Sequence, residues 1–157
     1  KRFWGGLRVG FVRAPEPVAL RVARVKATQD LGSSAVSQVL ATRLLADPSA
    51  SARLATRNEE LRGRYEHLTA ELRSALPSWD WDEPAGGLSL WVRLPDPVAS
   101  AFAQAALRAG VAVATAEALS PGAAAAHPDR LRLSFSGPRE EITLGVERMA
   151  EAWGAFT

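Results

Sequence analysis

Residues 1–15, KRFWGGLRVGFVRAP, are the stretch on which the reading of this chain turns. Lys1 and Arg8 stand on either side of the Gly5-Gly6 pair, ahead of an apolar run, residues 7–14 (LRVGFVRA). That run is rich in Val and Leu and is closed by Pro15 and Pro17, which predicts a buried strand. A lysine amine that can shed its proton condenses with an aldehyde. Glycines beside it let main chain approach a bulky ligand closely, and a planar guanidinium suits a phosphate. On spacing alone, Lys1 and Arg8 read first as ordinary exposed residues.

Working outward, residues 17–30 place Val18, Val22 and Val25 on one helical face, with Pro17 suited to the first turn. Gly32 breaks the pattern, and Ser33 or Ser34 can cap a second helix, AVSQVLATRLLA, that ends at Asp47-Pro48. The longest helix is expected over residues 49–76. Leu54, Leu61, Tyr65, Leu68, Leu72 and Leu76 follow helical spacing in it, opposite a charged face. Pro77 ends that helix.

Beyond Pro77 the pattern changes to period two. WDWDEPAGGLSLWVRLPDP predicts a half-buried strand pair around Gly86-Gly87. A helix (98–109), Gly110, a short strand (VAVATA, 111–116), a Pro-Gly loop, the strand RLRLSF and a closing helix (138–154) follow. The second half therefore reads β-β-α-β-β-α. Alternation in Leu131-Arg132-Leu133-Ser134-Phe135 sends Arg132 to the face opposite its apolar neighbours. Arg130 shares that face and competes with it; by itself either reads as a solvated strand arginine. Trp79 and Trp81 are expected to pack one face of this lobe, and His67 to lie on the surface of the long helix.

Composition narrows the function classes. Of 157 residues, 47% are hydrophobic, enough for one respectable core or two small lobes. No stretch has the ~20 apolar residues that a membrane-spanning helix needs. Cysteine is absent, so disulfides and thiolate metal sites are excluded. His67 and His127 have no metal-ligand spacing, and no metal is expected. The net charge is only +2 and the arginines form no tract, unlike a nucleic-acid-binding surface.

Four segments, in order, resemble fold-type I pyridoxal-phosphate (PLP) enzymes of the class I/II aminotransferase superfamily. K-x-x-W-G-G-L-R-V-G-F-V is similar to the segment after their Schiff-base lysine, and the helices that follow have the expected lengths. PAGGLSLWVRLP resembles the opening of their small domain, with Ser89 where an aromatic is frequent. SPGAAAAHPDRLRLSFS resembles their P-G-x-x-F…R-L-x-F-S segment, with Ala125 and Ala126 where an aromatic is usual. The resemblance implies an α/β fold with an α+β small lobe. Residues 1–76 would be a remnant of the large PLP domain plus the long interdomain helix, and residues 77–157 the small C-terminal domain. It implies pyridoxal 5'-phosphate as cofactor, Lys1 as the catalytic and cofactor-binding lysine, Arg8 as the phosphate arginine, and Arg132 as the arginine for a substrate or effector carboxylate.

Two function classes share this fold. K-x-x-W-G-G-L-R-V-G-F-V-R-A-P followed by R-x-x-x-x-x-x-D-L-G-S resembles MocR-type regulators of the GntR family more than 2-aminoadipate-type transaminases. The first implies a PLP- or amino-acid-responsive effector domain, dimeric in the intact parent, reaching DNA only through an N-terminal winged helix. The second implies a transaminase. Since residue 1 falls on the lysine itself, the chain is expected to be a C-terminal piece, with half of any PLP site upstream. With no signal segment visible, a cytoplasmic location is expected. The N-terminal portion is expected to be rearranged or loosely held, and the C-terminal lobe well formed.

Overall fold

The structure, a computed structural model, describes residues 5–30, 32–120 and 127–156. It comprises two compact units, residues 1–58 and 59–157. The division falls inside the longest helix, between Asn58 and Glu59.

In the first unit, Gly5–Leu7 forms a single 3-10 turn. Arg8 follows with φ 52°, its N–H donating to the Gly5 carbonyl at 3.3 Å. A non-glycine residue in the left-handed region interrupts an extended chain. Extended backbone also becomes a strand only when a neighbour takes its hydrogen bonds. The strand expected over residues 7–14 therefore does not form: residues 8–14 have no regular structure, and no described segment pairs with them.

Helix α1 spans Glu16–Asp30 and α2 spans Ala35–Ala46. The cap of α2 is Ser34, whose hydroxyl accepts the N–H of Ser37 at 3.3 Å. The apolar face of α1 forms as its spacing predicts but stays open, with Val18, Val22 and Val25 between 45% and 57% exposed. Asp47 starts the next helix. Its carboxylate accepts the N–H and hydroxyl of Ser49 at 2.8 and 2.7 Å and pairs with Arg53 at 2.6 Å. That helix, α3, runs Ala50–Ala75.

The second unit is a small antiparallel sheet covered by helices. β1 (Ser89–Arg93), α4 (Ala99–Arg108), β2 (Ala114–Thr115), the single turn α5 (Ala116–Leu119), β3 (Arg130–Ser134) and α6 (Arg139–Phe156) follow α3. Strand order is β1-β3-β2. The strand pair expected around Gly86-Gly87 narrows to one bridge, Asp80 with Arg93, before β1 begins. Pro84 lacks the N–H a ladder needs, and Gly87, at φ 121°, turns the chain. The expected strand 111–116 likewise pairs only at Ala114 and Thr115.

Leu68, Leu72 and Leu76 of α3, Leu90 and Val92 of β1, Leu131 and Leu133 of β3, and Ile142, Val146 and Met149 of α6 meet in one core. Full burial of such side chains contributes about 1.5–3 kcal/mol each before chain entropy is set against it. At one end Trp79, Phe102 and Trp153 meet edge to face, with centroids 5.2–5.4 Å apart. Trp79 thus packs the lobe as expected, while Trp81 is half-buried under the Arg73 guanidinium. α4 ends in a Schellman motif: Val111 N–H donates to Ala106 O at 2.8 Å and Gly110 N–H to Leu107 O at 3.0 Å. The motif needs a left-handed residue, supplied by Gly110 at φ 84°. No described helix is long and apolar enough to cross a membrane.

Candidate functional site

Of the three residues singled out by sequence, Lys1 lies outside the described residues, as do Ala125 and Ala126. Arg8 belongs to the first unit and Arg132 to the second. Arg8 is exposed, and its guanidinium has no hydrogen bond or ion pair among the described residues. An unpaired guanidinium of this kind is chemically suited to an anion such as a phosphate.

Arg132 sits in the middle strand of the sheet. Burial along β3 alternates, with Leu131 and Leu133 inside and Arg132 and Ser134 outside. It stands opposite Trp91 of β1 and Ala114 of β2. Its side chain has no partner among the described residues, whereas Arg130 lies 3.8 Å from the Asp129 carboxylate. Arg93, opposite Arg130, is paired with Asp80, and this guanidinium holds the Asp80 carboxyl below its usual range. Of the three arginines on this face, Arg132 is therefore the one left open to an incoming carboxylate.

A cleft of about 330 Å³ adjoins Arg132 and is walled also by Ser134, Ser136 and Glu141. Arg64 of α3 holds its rim, donating to the Ser136 carbonyl at 2.7 Å. The sequence marked neither the cleft nor Glu141; the S-G-P-R-E run at the start of α6 is the only trace of them. His67 is half-buried rather than on the surface, its Nε2 2.8 Å from the Thr143 hydroxyl of α6. No cluster of three or more His, Asp or Glu among the described residues is placed to hold a metal ion.

The family model for aminotransferase class I and II matches residues 4–149. The chain belongs to that family. Among solved structures, the family member LysN, the alpha-aminoadipate aminotransferase of Thermus thermophilus, superposes with a TM-score of 0.84. It is 27% identical, over 96% of this chain and 39% of its own, and was solved with N-(5'-phosphopyridoxyl)-L-leucine. The fold is accordingly the C-terminal part of a fold-type I PLP-dependent transferase. An HTH-type transcriptional regulator of Bacillus subtilis, YdfD, is 30% identical over 90 residues, 57% of this chain and 19% of its own length. Aromatic-amino-acid aminotransferase 1 of Thermococcus litoralis is 27% identical over 152 residues, 93% of this chain and 35% of its own. The chain thus spans about a third or less of these curated relatives.

Proposed function

We propose that this chain is the aminotransferase-like effector domain of a GntR/MocR-type transcriptional regulator, responsive to PLP and an amino acid. The observation that carries the reading is the unpaired Arg132 on an aminotransferase-family sheet in a chain that also resembles an HTH-type regulator. In this reading residues 1–76 are the large-domain remnant with the interdomain helix, and residues 77–157 the small domain. Lys1 and Arg8 would hold pyridoxal 5'-phosphate, through its aldehyde and its phosphate respectively. When bound, PLP supplies an aldehyde for amines and a sink for electrons. Arg132 would fix the carboxylate of the effector with a two-pronged hydrogen bond. The parent would be a cytoplasmic homodimer that reaches DNA through a winged helix upstream of Lys1.

A transaminase is the second reading, favoured by the match to the Thermococcus litoralis enzyme over nearly the whole chain. Sequencing the parent gene upstream of the Lys1 codon separates the two. A winged-helix module followed by a linker and a large PLP domain supports the regulator; a large domain starting at the initiation codon supports the transaminase. Absence of both would remove the cofactor from either account. In the parent, Lys1→Ala should abolish the visible absorbance of bound PLP, and retention of that absorbance would remove Lys1 from its role.

A further inference from the structure

The cleft beside Arg132 is a gap in the sheet itself. β2 pairs with β3 only at Ala114–Arg132 and Thr115–Leu131, so residues 111–113 leave the ladder where pairing would otherwise continue. Only an opening through the edge of the sheet can be walled by both Arg132, from the outer face, and Leu133, from the inner face. Partners of successive residues alternate across an antiparallel strand. Phe135 N–H donates to Leu88 O on the β1 side, so the main-chain N–H and C=O of Ser134 turn to the open side.

What fills such a gap follows from its walls. Leu68, Val111, Val113, Ile142, Val146 and Met149 make it apolar in depth. At the mouth stand the Arg132 guanidinium, the paired hydroxyls of Ser134 and Ser136 at 2.9 Å, and the Glu141 carboxylate. Glu141 leans back over Gly137: a Cβ built there would lie 3.0 Å from its Oε2. One cationic and one anionic group above an apolar slot match a zwitterion that carries a hydrocarbon side chain. The volume, about 330 Å³, is at the lower end of small-ligand pockets. Gly145 keeps the slot open from α6, since a Cβ there would meet nothing within 4 Å.

We propose that this cleft binds the side chain of an aliphatic α-amino acid, with Arg132 on its carboxylate and Glu141 on its ammonium group. The proposal rests on the reading of Arg132 as the carboxylate anchor and adds the ligand class and the pocket that selects it. All its residues lie within one unit, so recognition of the free amino acid needs neither Lys1 nor the cofactor.

Met149, the chain's sole methionine, lines the cleft and gives a single methyl NMR signal. Titration of the 157-residue chain with L-leucine should shift that signal with saturation, whereas glycine and L-glutamate should leave it in place. Gly145→Leu fills the slot and should weaken leucine binding at least tenfold without lowering the melting temperature. Should that variant misfold, Gly145→Ala, expected to weaken binding several-fold, takes its place. An unchanged leucine response in the variant that folds, or no response in the parent chain, would overturn the slot. The carboxylate role of Arg132 is judged separately, by whether Arg132→Lys weakens amino-acid binding to the PLP-loaded parent.

Discussion

Trp91 and Arg132 stand directly opposite one another across the β1–β3 ladder, both on the face turned away from the core. Side chains so placed lie with Cβ atoms about 4.5–5.5 Å apart. The indole therefore flanks the guanidinium on one side and the small Ala114 leaves the other side clear. An arginine with a bulky wall on one side, and no carboxylate partner among the described residues, is kept available to a ligand.

Replacing that arginine tests its role without disturbing the fold. Arg132→Lys keeps the charge but loses the fork, and hydrogen bonds to charged groups are worth about 1.5–3 kcal/mol. Amino-acid affinity of the PLP-loaded parent should fall by about tenfold or more. Because the guanidinium has no intramolecular partner among the described residues, thermal unfolding of Arg132→Lys should match that of the unmodified protein.

Two glycines should respond to alanine with opposite sign. Gly110 sits at φ 84° in the cap of α4, where a Cβ would also lie 3.0 Å from Arg148 Nη1. Gly110→Ala should cost about 1 kcal/mol. Gly145 lies inside α6 with free space around it, so Gly145→Ala should stabilise by about 0.5–1 kcal/mol. Urea titrations of both variants read the pair directly.

Phe102 is fully buried and touches Trp79, Trp153 and Phe156 edge to face. Truncating a core phenylalanine to alanine costs about 3–5 kcal/mol. Phe102→Ala should lower the urea midpoint of the lobe accordingly. A loss below about 1 kcal/mol would mean that the aromatic cluster is not the packed end of this core.

The start of α3 should be acid-sensitive. Hydrogen bonds from Ser49, then Arg53, hold the Asp47 carboxyl down from 3.8 to about 2. A group depressed in the folded state contributes stability above its unfolded pKa, and that contribution is lost as pH falls through the folded value. Fraying of the first turn of α3 should therefore develop between about pH 4 and pH 2. Asp47→Asn should remove this pH dependence, as followed by the amide signals of residues 49–53.

Legibility in the sequence tracked how much each element depends on distant partners. α3, α4 and α6 carry their own periodicity, and Leu68, Leu72 and Leu76 point inward as their spacing requires. β3 declared its faces through alternation, and that placed Arg132. The apolar run at residues 7–14 looked like a strand because its composition suits one, but pairing is a property of neighbours and none is present among the described residues. VAVATA offered no mark of where its ladder stops, since every residue in it fits a strand. The cleft was invisible for that reason: it exists because pairing ends at Ala114. Gly145, inside a helix pattern, gave no sign that it faces open space.

The open apolar face of α1 has a spectroscopic consequence. No residue of α1 is buried, and helices gain most of their stability from packing rather than propensity. Four of the five tryptophans, Trp79, Trp81, Trp91 and Trp153, belong to residues 59–157. Intrinsic fluorescence of this chain is thus chiefly a gauge of one unit, whereas far-ultraviolet circular dichroism sums both. On heating, ellipticity should begin to fall before the emission maximum moves to the red, and no single midpoint will describe the two signals.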